Sequence, residues 1–218
     1  MTEFEINAKE SDIFVISPDR EATAEEKNFL ENYVREQEKE GKIVYFPSRD
    51  TDQNDPVGLR ICLTNREAIR KTKEVHAYFN GRSQGTFFDL GMSFMAKKPL
   101  YFIGTKIKTL DDAFGSLGLE CPELRGMKFS EWAEKERAIL EDVNFLGRGY
   151  NWEENNPKLA LFLFNFGMAF MADIDIYLKN PREVKRTLHK SFQNVLLELH
   201  KICKGDIYLY YTTVPNID

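Results

Sequence analysis

Ser83-Gln84-Gly85-Thr86-Phe87-Phe88-Asp89-Leu90-Gly91 is the stretch whose surroundings decide the fold. Before it runs Val75-His76-Ala77-Tyr78-Phe79, short, apolar and β-prone; after it come Met92, Phe94 and Met95, then Pro99-Leu100-Tyr101-Phe102-Ile103. The order is strand, loop, helix, strand. In an open α/β sheet, ligands bind at the loops on the carboxyl ends of the strands. A helix N-terminus there offers free backbone N–H groups and a positive dipole end to an anion. Ser83, Gly85 and Thr86 form such a cradle, with Asp89 one turn inside the helix. A phosphate-holding loop beside a carboxylate suits chemistry on a sugar phosphate. Thr86-x-x-Asp89 is equally a capping box, with Thr86 as cap and Asp89 reaching back from the third position. Spacing alone favours the cap.

Working toward the N-terminus, Asp12-Ile13-Phe14-Val15-Ile16-Ser17 reads as a buried strand ended by Pro18. Thr23 with Glu26 makes a capping box, and Phe29, Leu30, Tyr33 and Val34 form one apolar stripe of a helix running to Gly41. Ile43-Val44-Tyr45-Phe46 is a second strand closed by Pro47. A polar loop from Ser48 to Asp55 follows, then a helix over Val57 to Thr72 with Ile61, Cys62, Ala68 and Ile69 inward. Alternating strands and helices of this length imply a parallel sheet with right-handed crossovers. The expected fold is therefore α/β: a doubly wound parallel sheet with Rossmann-type layering over residues 1–108, and an α/β C-terminal extension over 109–218.

In that extension, glycines and Pro122 predict a long connection from Thr105 to Lys128 with at most a short helix. Helices are expected from Ser130 to Asp142, from Pro157 onward, and from Pro181 to Cys203, with strands at Ile174–Tyr177 and Ile207–Tyr211. An internal echo links the halves. Phe88 to Ala96 returns 76 residues later as Phe164-Asn165-Phe166-Gly167-Met168-Ala169-Phe170-Met171-Ala172, with six of nine residues identical. Two readings stand level: a duplicated half that lost its carboxylate and its loop, or two buried helices converging on the same packing residues.

The 218 residues are 42% hydrophobic and 30% charged, proportions of an ordinary globular protein. A net charge of −5 argues against general affinity for nucleic acid or an anionic membrane. Cys62, Cys121 and Cys203 are odd in number and lack motif spacing, which predicts reduced intracellular thiols and a cytosolic protein; the acidic start Met1-Thr2-Glu3-Phe4-Glu5 lacks the apolar stretch of a signal peptide. The apolar run Leu159–Ala172 falls short of the roughly 20 residues that cross a bilayer. His76, His189 and His200 show no metal or triad pattern, and no P-loop or nucleophile elbow occurs.

The Ser83–Gly91 segment resembles the nucleoside 2-deoxyribosyltransferase-like superfamily, in which a strand is followed by D/S-x-G-x-x-x-E-L-G and the Glu attacks the sugar C1′. Asp89-Leu90-Gly91 stands at the E-L-G position, with Gly85 four residues earlier and Ser83 six earlier. The likeness covers roughly residues 10 to 104. The transferases usually carry Asp at the Ser83 position, whereas the branch that hydrolyses deoxynucleoside 5′-monophosphates carries Ser, which contacts the phosphate. The resemblance thus implies N-glycosidic cleavage or deoxyribosyl transfer on a nucleotide or deoxynucleoside, with no cofactor. Asp89 would be the nucleophile, and Ser83, Gly85 and Thr86 would hold the 5′-phosphate. Relatives commonly complete their sites across a homodimer. Asp in place of Glu is a departure: its carboxylate falls short by about an ångström, a displacement that can cost roughly a hundredfold in rate. The rival implication is a non-catalytic nucleotide-binding or sensor protein that kept the cradle.

Asn65 stands between Ile61 and Ile69 at helical spacing, so its amide lies on or beside an apolar face and must be hydrogen-bonded. It bonds a nearby carbonyl or points at a ligand; in the transferases an Asp near this position helps hold nucleophile and sugar, which implicates Asn65 or Arg66 here. Asp50, Asp52 and Asp55 follow the second strand. A carboxyl there suits proton delivery to a departing base, although solvated Asx-turns explain such a loop as often. Ser17 and Arg20 follow the first strand, and Arg20 and Arg82 are candidates to balance phosphate charge. The basic run from Lys179 to Lys190 reads as a solvated helix face.

Overall fold

Parallel strands covered on both faces carry continuous apolar runs, and β1 (Ser11–Ile16) is one: Ile13, Phe14, Val15 and Ile16 are fully buried. The computed structural model describes residues 8–55, 58–118, 157–172, 177–179 and 208–210. Within them, β1 pairs in parallel with β2 (Val44–Tyr45) on one side and β3 (Thr72–Tyr78) on the other, and β4 (Leu100–Ile103) pairs in parallel with β3. The order is β2-β1-β3-β4. Because successive side chains of a strand point to opposite faces, Ile13 and Val15 join one apolar cluster with Leu30 and Val34 of α1 (Ala24–Lys39). Phe14 and Ile16 join another, with Cys62 and Ile69 of α3 (Leu59–Lys71) and Leu90 and Met92 of α4 (Gln84–Met95). The chain is an α/β protein with an all-parallel four-stranded sheet flanked by helices.

The Thr23 capping box forms as its spacing predicts: Glu26 N donates to Thr23 Oγ1 at 3.2 Å and Thr23 N donates to Glu26 Oε2 at 2.7 Å. Two boundaries differ from expectation, and the short helix allowed after β4 forms. Phe46 is not in the second strand but caps α2 (Pro47–Asp50), a helical turn where a loop was expected, because Pro47 suits the first helical position. β3 begins at Thr72, directly after α3, since Thr72 supplies both the helix C-cap and the first strand residue. The connection after β4 holds the short α5 (Leu110–Gly115), capped by Thr109. Farther on come α6 (Pro157–Ala172) and a parallel pair, β5 (Tyr177–Lys179) with β6 (Tyr208–Tyr210). The helices expected at 130–142 and 181–203, the connection beyond 118 and the basic residues from Arg182 onward lie outside the described residues.

The internal echo becomes a contact. α4 and α6 pack against each other so closely that a Cβ at Gly91 would overlap the carbonyl oxygen of Phe164, and one at Gly167 would overlap that of Phe88. The rings repeat the exchange: Phe88 meets Phe170 at 5.4 Å and 49°, and Phe94 meets Phe164 at 5.7 Å and 48°. Replacing each residue by its counterpart 76 positions away turns one contact into the other. The two copies therefore face each other across a local two-fold, the self-complementary arrangement of an isologous interface.

This topology fixes where a site can lie. β2 adds to one side of β1 and β3 to the other, so the order reverses between β1 and β3, the place where open α/β sheets bind ligands. The loops that leave there carry Ser17 to Arg20 and Phe79 to Ser83.

Candidate functional site

The loop after β3 is turned by Asn80, whose Oδ1 accepts from Arg82 N at 3.0 Å and Ser83 N at 3.2 Å. That turn delivers Ser83 to the cap position, where its Oγ accepts from Thr86 N at 3.4 Å. Serine is as good a cap as threonine, and it comes first along the chain. The Thr86–Asp89 capping box therefore does not form, and α4 opens one turn earlier than that box required. Asp89 is left in the second turn with its carboxylate released from any capping role.

What the Asp89 carboxylate does instead is meet α3. Asn65 Nδ2 donates to Asp89 Oδ2 at 3.4 Å, while Asp89 Oδ1 has no hydrogen-bond partner among the described residues. Both side chains are buried, Asp89 at 9% exposure. Burial pushes the Asp89 carboxyl up to about 7, against the pull of the Asn65 amide toward the ionised form. Ser93 Oγ donates to the Asp89 backbone carbonyl at 2.8 Å, fixing the turn below it. Of the two α3 residues implicated beside the nucleophile, the structure brings Asn65. Arg66 turns away, donating to the Phe170 carbonyl at 3.0 Å and lying over the Phe170 ring.

Two residues that the sequence reading passed over complete this pair. Thr51 Oγ1 donates to Asn65 Oδ1 at 3.0 Å, and Tyr45 Oη lies 2.9 Å from Thr51 Oγ1. The signal for Tyr45 lay in strand alternation, which sends it to the face of Phe14, on which it stacks at 5.6 Å. Cys62, also buried, sits within electrostatic reach. Burial raises its thiol far above the usual range, the charges of Asp89 and Asp55 add to this, and Arg20 opposes. A thiol so placed stays protonated and inert.

The cradle has three notable features. Gly85 has no positive φ, and a Cβ there would meet nothing nearer than Ser83 Oγ at 3.8 Å, so protein packing does not require a glycine. Thr86 Oγ1 is buried without a hydrogen-bond partner among the described residues. Arg20, in the loop after β1, is exposed and makes no ion pair among them. Ser17 Oγ lies 3.4 Å from Ser48 Oγ, which donates to Asp19 Oδ1 at 2.9 Å, tying the loops after β1 and β2 together.

The remaining candidates are engaged elsewhere. Asp50 accepts from Phe46 N at 2.8 Å and from the Arg49 guanidinium at 2.8 and 2.9 Å, serving the start of α2. Asp52 forms an Asx-turn to Asn54 N at 2.9 Å and pairs with Arg60 at 2.7 Å. Asp55 accepts from the Arg60 and Ile61 amides at 2.7 and 3.3 Å, capping the first turn of α3. Arg82 pairs with Glu26 at 3.0 Å, away from the cradle. His76 lies among Tyr33 and Glu74, where burial lowers its pKa. Beside the Asn80 turn, a cavity of about 420 Å³ is lined by Phe79, Asn80, Gly81, Ile107, Ser116 and Leu117. Among the described residues no three His, Cys, Asp or Glu side chains group to hold a metal, and no helix is long and apolar enough to cross a membrane.

Compared with protein-family models, curated proteins and solved structures, the chain matches none.

Proposed function

We propose that the protein cleaves the N-glycosidic bond of a nucleotide or deoxynucleoside, or transfers the sugar, with Asp89 as the carboxylate nucleophile. The observation that carries this is the release of Asp89 from helix capping, its Oδ2 held by Asn65 and its Oδ1 without a partner among the described residues, in the second turn of a helix that opens at the switch point of the sheet. Burial raises the protonation threshold of the Asp89 carboxyl, and a carboxyl so shifted beside a ligand-binding edge of the sheet is a candidate functional group.

In the proposed reaction, Asp89 Oδ1 attacks C1′ through an oxocarbenium-like transition state. The C1′–O bond forms as the C1′–N bond breaks, and the bonding pair leaves on the base nitrogen, which takes a proton from water. Water, or a second base, then displaces the ester at C1′ and restores the carboxylate; splitting one hard step into two easier ones is the gain of covalent catalysis. Asp50, Asp52 and Asp55 are committed to backbone amides and arginines, so solvent is the simpler proton source. Ser83, the side-chain-free backbone at Gly85, the buried Thr86 hydroxyl and the Arg20 guanidinium, without an ion pair among the described residues, are the elements that would take the 5′-phosphate. An anion at this helix start meets the positive end of the α4 dipole.

The same proposal covers the layering and the second half. Distribution of α1 and of α3 with α4 between the two apolar clusters supports a doubly wound sheet. The local two-fold between α4 and α6 supports the division at about residue 108 and a degenerate duplicate after it, in which Asn165 stands at the position of Asp89. A cytosolic protein without nucleic-acid or membrane partners fits the acidic charge and the unpatterned cysteines.

A non-catalytic nucleotide-binding protein is the second reading, favoured by the shorter reach of Asp and by the engagement of all three loop carboxylates. Free-base release measured across a panel of nucleosides and 5′-monophosphates, beside calorimetric affinities for the same compounds, separates the two. Release of base with tighter binding of the monophosphates supports the enzyme; tight binding without release supports the binder; neither binding nor release overturns both.

A further inference from the structure

We infer that Thr51 and Tyr45 are positioning residues for Asp89, acting through a buried hydrogen-bond chain whose donors all point toward its carboxylate. The direction follows from counting protons. Asn65 can present either end of its amide to Asp89, and only the Nδ2 end attracts a carboxylate. Thr51 has one hydroxyl proton and donates it to Asn65 Oδ1 at 3.0 Å, which pins the carbonyl end away from Asp89. Thr51 Oγ1 must then accept, and the group 2.9 Å away is Tyr45 Oη. The alternative acceptor for the Tyr45 proton, the Asp50 carbonyl, is more distant at 3.5 Å. Donation therefore runs from Tyr45 to Thr51, to Asn65, to Asp89.

The four groups come from β2, the segment after α2, α3 and α4, and each is at most 9% exposed. In such surroundings successive bonds polarise one another, and a chain ending on a carboxylate favours its charged form. Tyr45 is fit to head the chain, because burial keeps its phenol protonated and its ring is stacked on Phe14. The other titratable groups within reach are Cys62 on α3, Asp55 before it, Arg20 before α1 and Asp50 beside Tyr45. None of them bonds the Asp89 carboxylate.

The catalytic consequence rests on Asp89 as nucleophile, but the chain is testable without turnover. The full-length protein is labelled with carbon-13 at aspartate carboxyls, and the Asp89 signal is assigned by its absence in Asp89→Asn. Thr51→Val, which keeps the shape and removes the hydroxyl, frees Asn65 to reverse and should raise the proton affinity of Asp89 roughly tenfold, one pKa unit. Thr51→Ser should restore the wild-type titration, and Tyr45→Phe should shift it in the same direction by less. Should Thr51→Val fail to fold, Tyr45→Phe, nearly isosteric, decides by the direction of its shift. A wild-type midpoint in folded Thr51→Val, a Thr51→Ser variant that titrates like Thr51→Val, or an unshifted Tyr45→Phe would overturn the positioning role. Absence of base release by the wild type would instead count against the nucleophile and leave these titrations intact.

Discussion

Replacing Asp89 by Asn should make the protein more stable, and the gain should depend on pH in a defined way. In the folded chain the Asp89 carboxyl is pushed from 3.8 up to about 7, chiefly by burial. Between those values the folded protein keeps a proton that the unfolded chain gives up, so stability falls as pH rises through the window. Roughly three units at 1.36 kcal/mol each amount to about 4 kcal/mol, lost in full above pH 7. Asn carries no charge, keeps nearly the same shape and still accepts from Asn65. The difference between variant and wild type should therefore be near zero at pH 4 and reach about 4 kcal/mol at pH 8. For a chain of this size that is on the order of 10 °C in Tm. Thermal melts of both proteins from pH 4 to pH 8 make the measurement, and every other titrating group cancels in the difference. A variant less stable than wild type at pH 8, or a difference that ignores pH, would refute the reasoning and return Asp89 to a structural role.

Glycines at three positions should part company. Gly91→Ala and Gly167→Ala each drive a methyl into an opposing carbonyl and should destabilise by about 1–3 kcal/mol or more, equally if the local two-fold holds; unequal losses in chemical denaturation would argue against it. Gly85→Ala brings its methyl only into ordinary contact with Ser83 Oγ and should stabilise by about 0.5–1 kcal/mol, while weakening 5′-monophosphate binding in calorimetry because the methyl narrows the cradle. Base release should rise with pH along an acid limb near 7, since the nucleophile must be ionised and the Asp89 carboxyl is held at about 7; a kcat/KM that falls across that limb would assign Asp89 as an acid instead.

Much of this was legible because the signals were local. The buried strand at Ile13 to Ile16 and the Thr23 capping box depend on neighbours within a few residues, and both stand as read. Asn65 was legible in part: an amide on an apolar face demands a partner, but which partner depends on how α3 meets α4. The choice between Ser83 and Thr86 as cap was not legible. Both residue types cap well, and the outcome turned on the Asn80 side chain gathering two amides just upstream. Asp50 was equally opaque, since its use at Phe46 N follows from Pro47 opening a helical turn rather than a loop. Sequence displayed the repeated Phe-x-x-Gly-Met but not that its two copies face each other, because the reciprocity of Gly91 and Gly167 exists only in the folded chain.

The most direct measurement of the central claim is the rate of free-base release from deoxynucleoside 5′-monophosphates by wild type and Asp89→Asn, run in parallel above pH 7. With Asp89 as nucleophile, the wild type releases base, and the folded, more stable variant falls to the uncatalysed background while still binding nucleotide. Release by Asp89→Asn at the wild-type rate, or none by the wild type with any base, contradicts it.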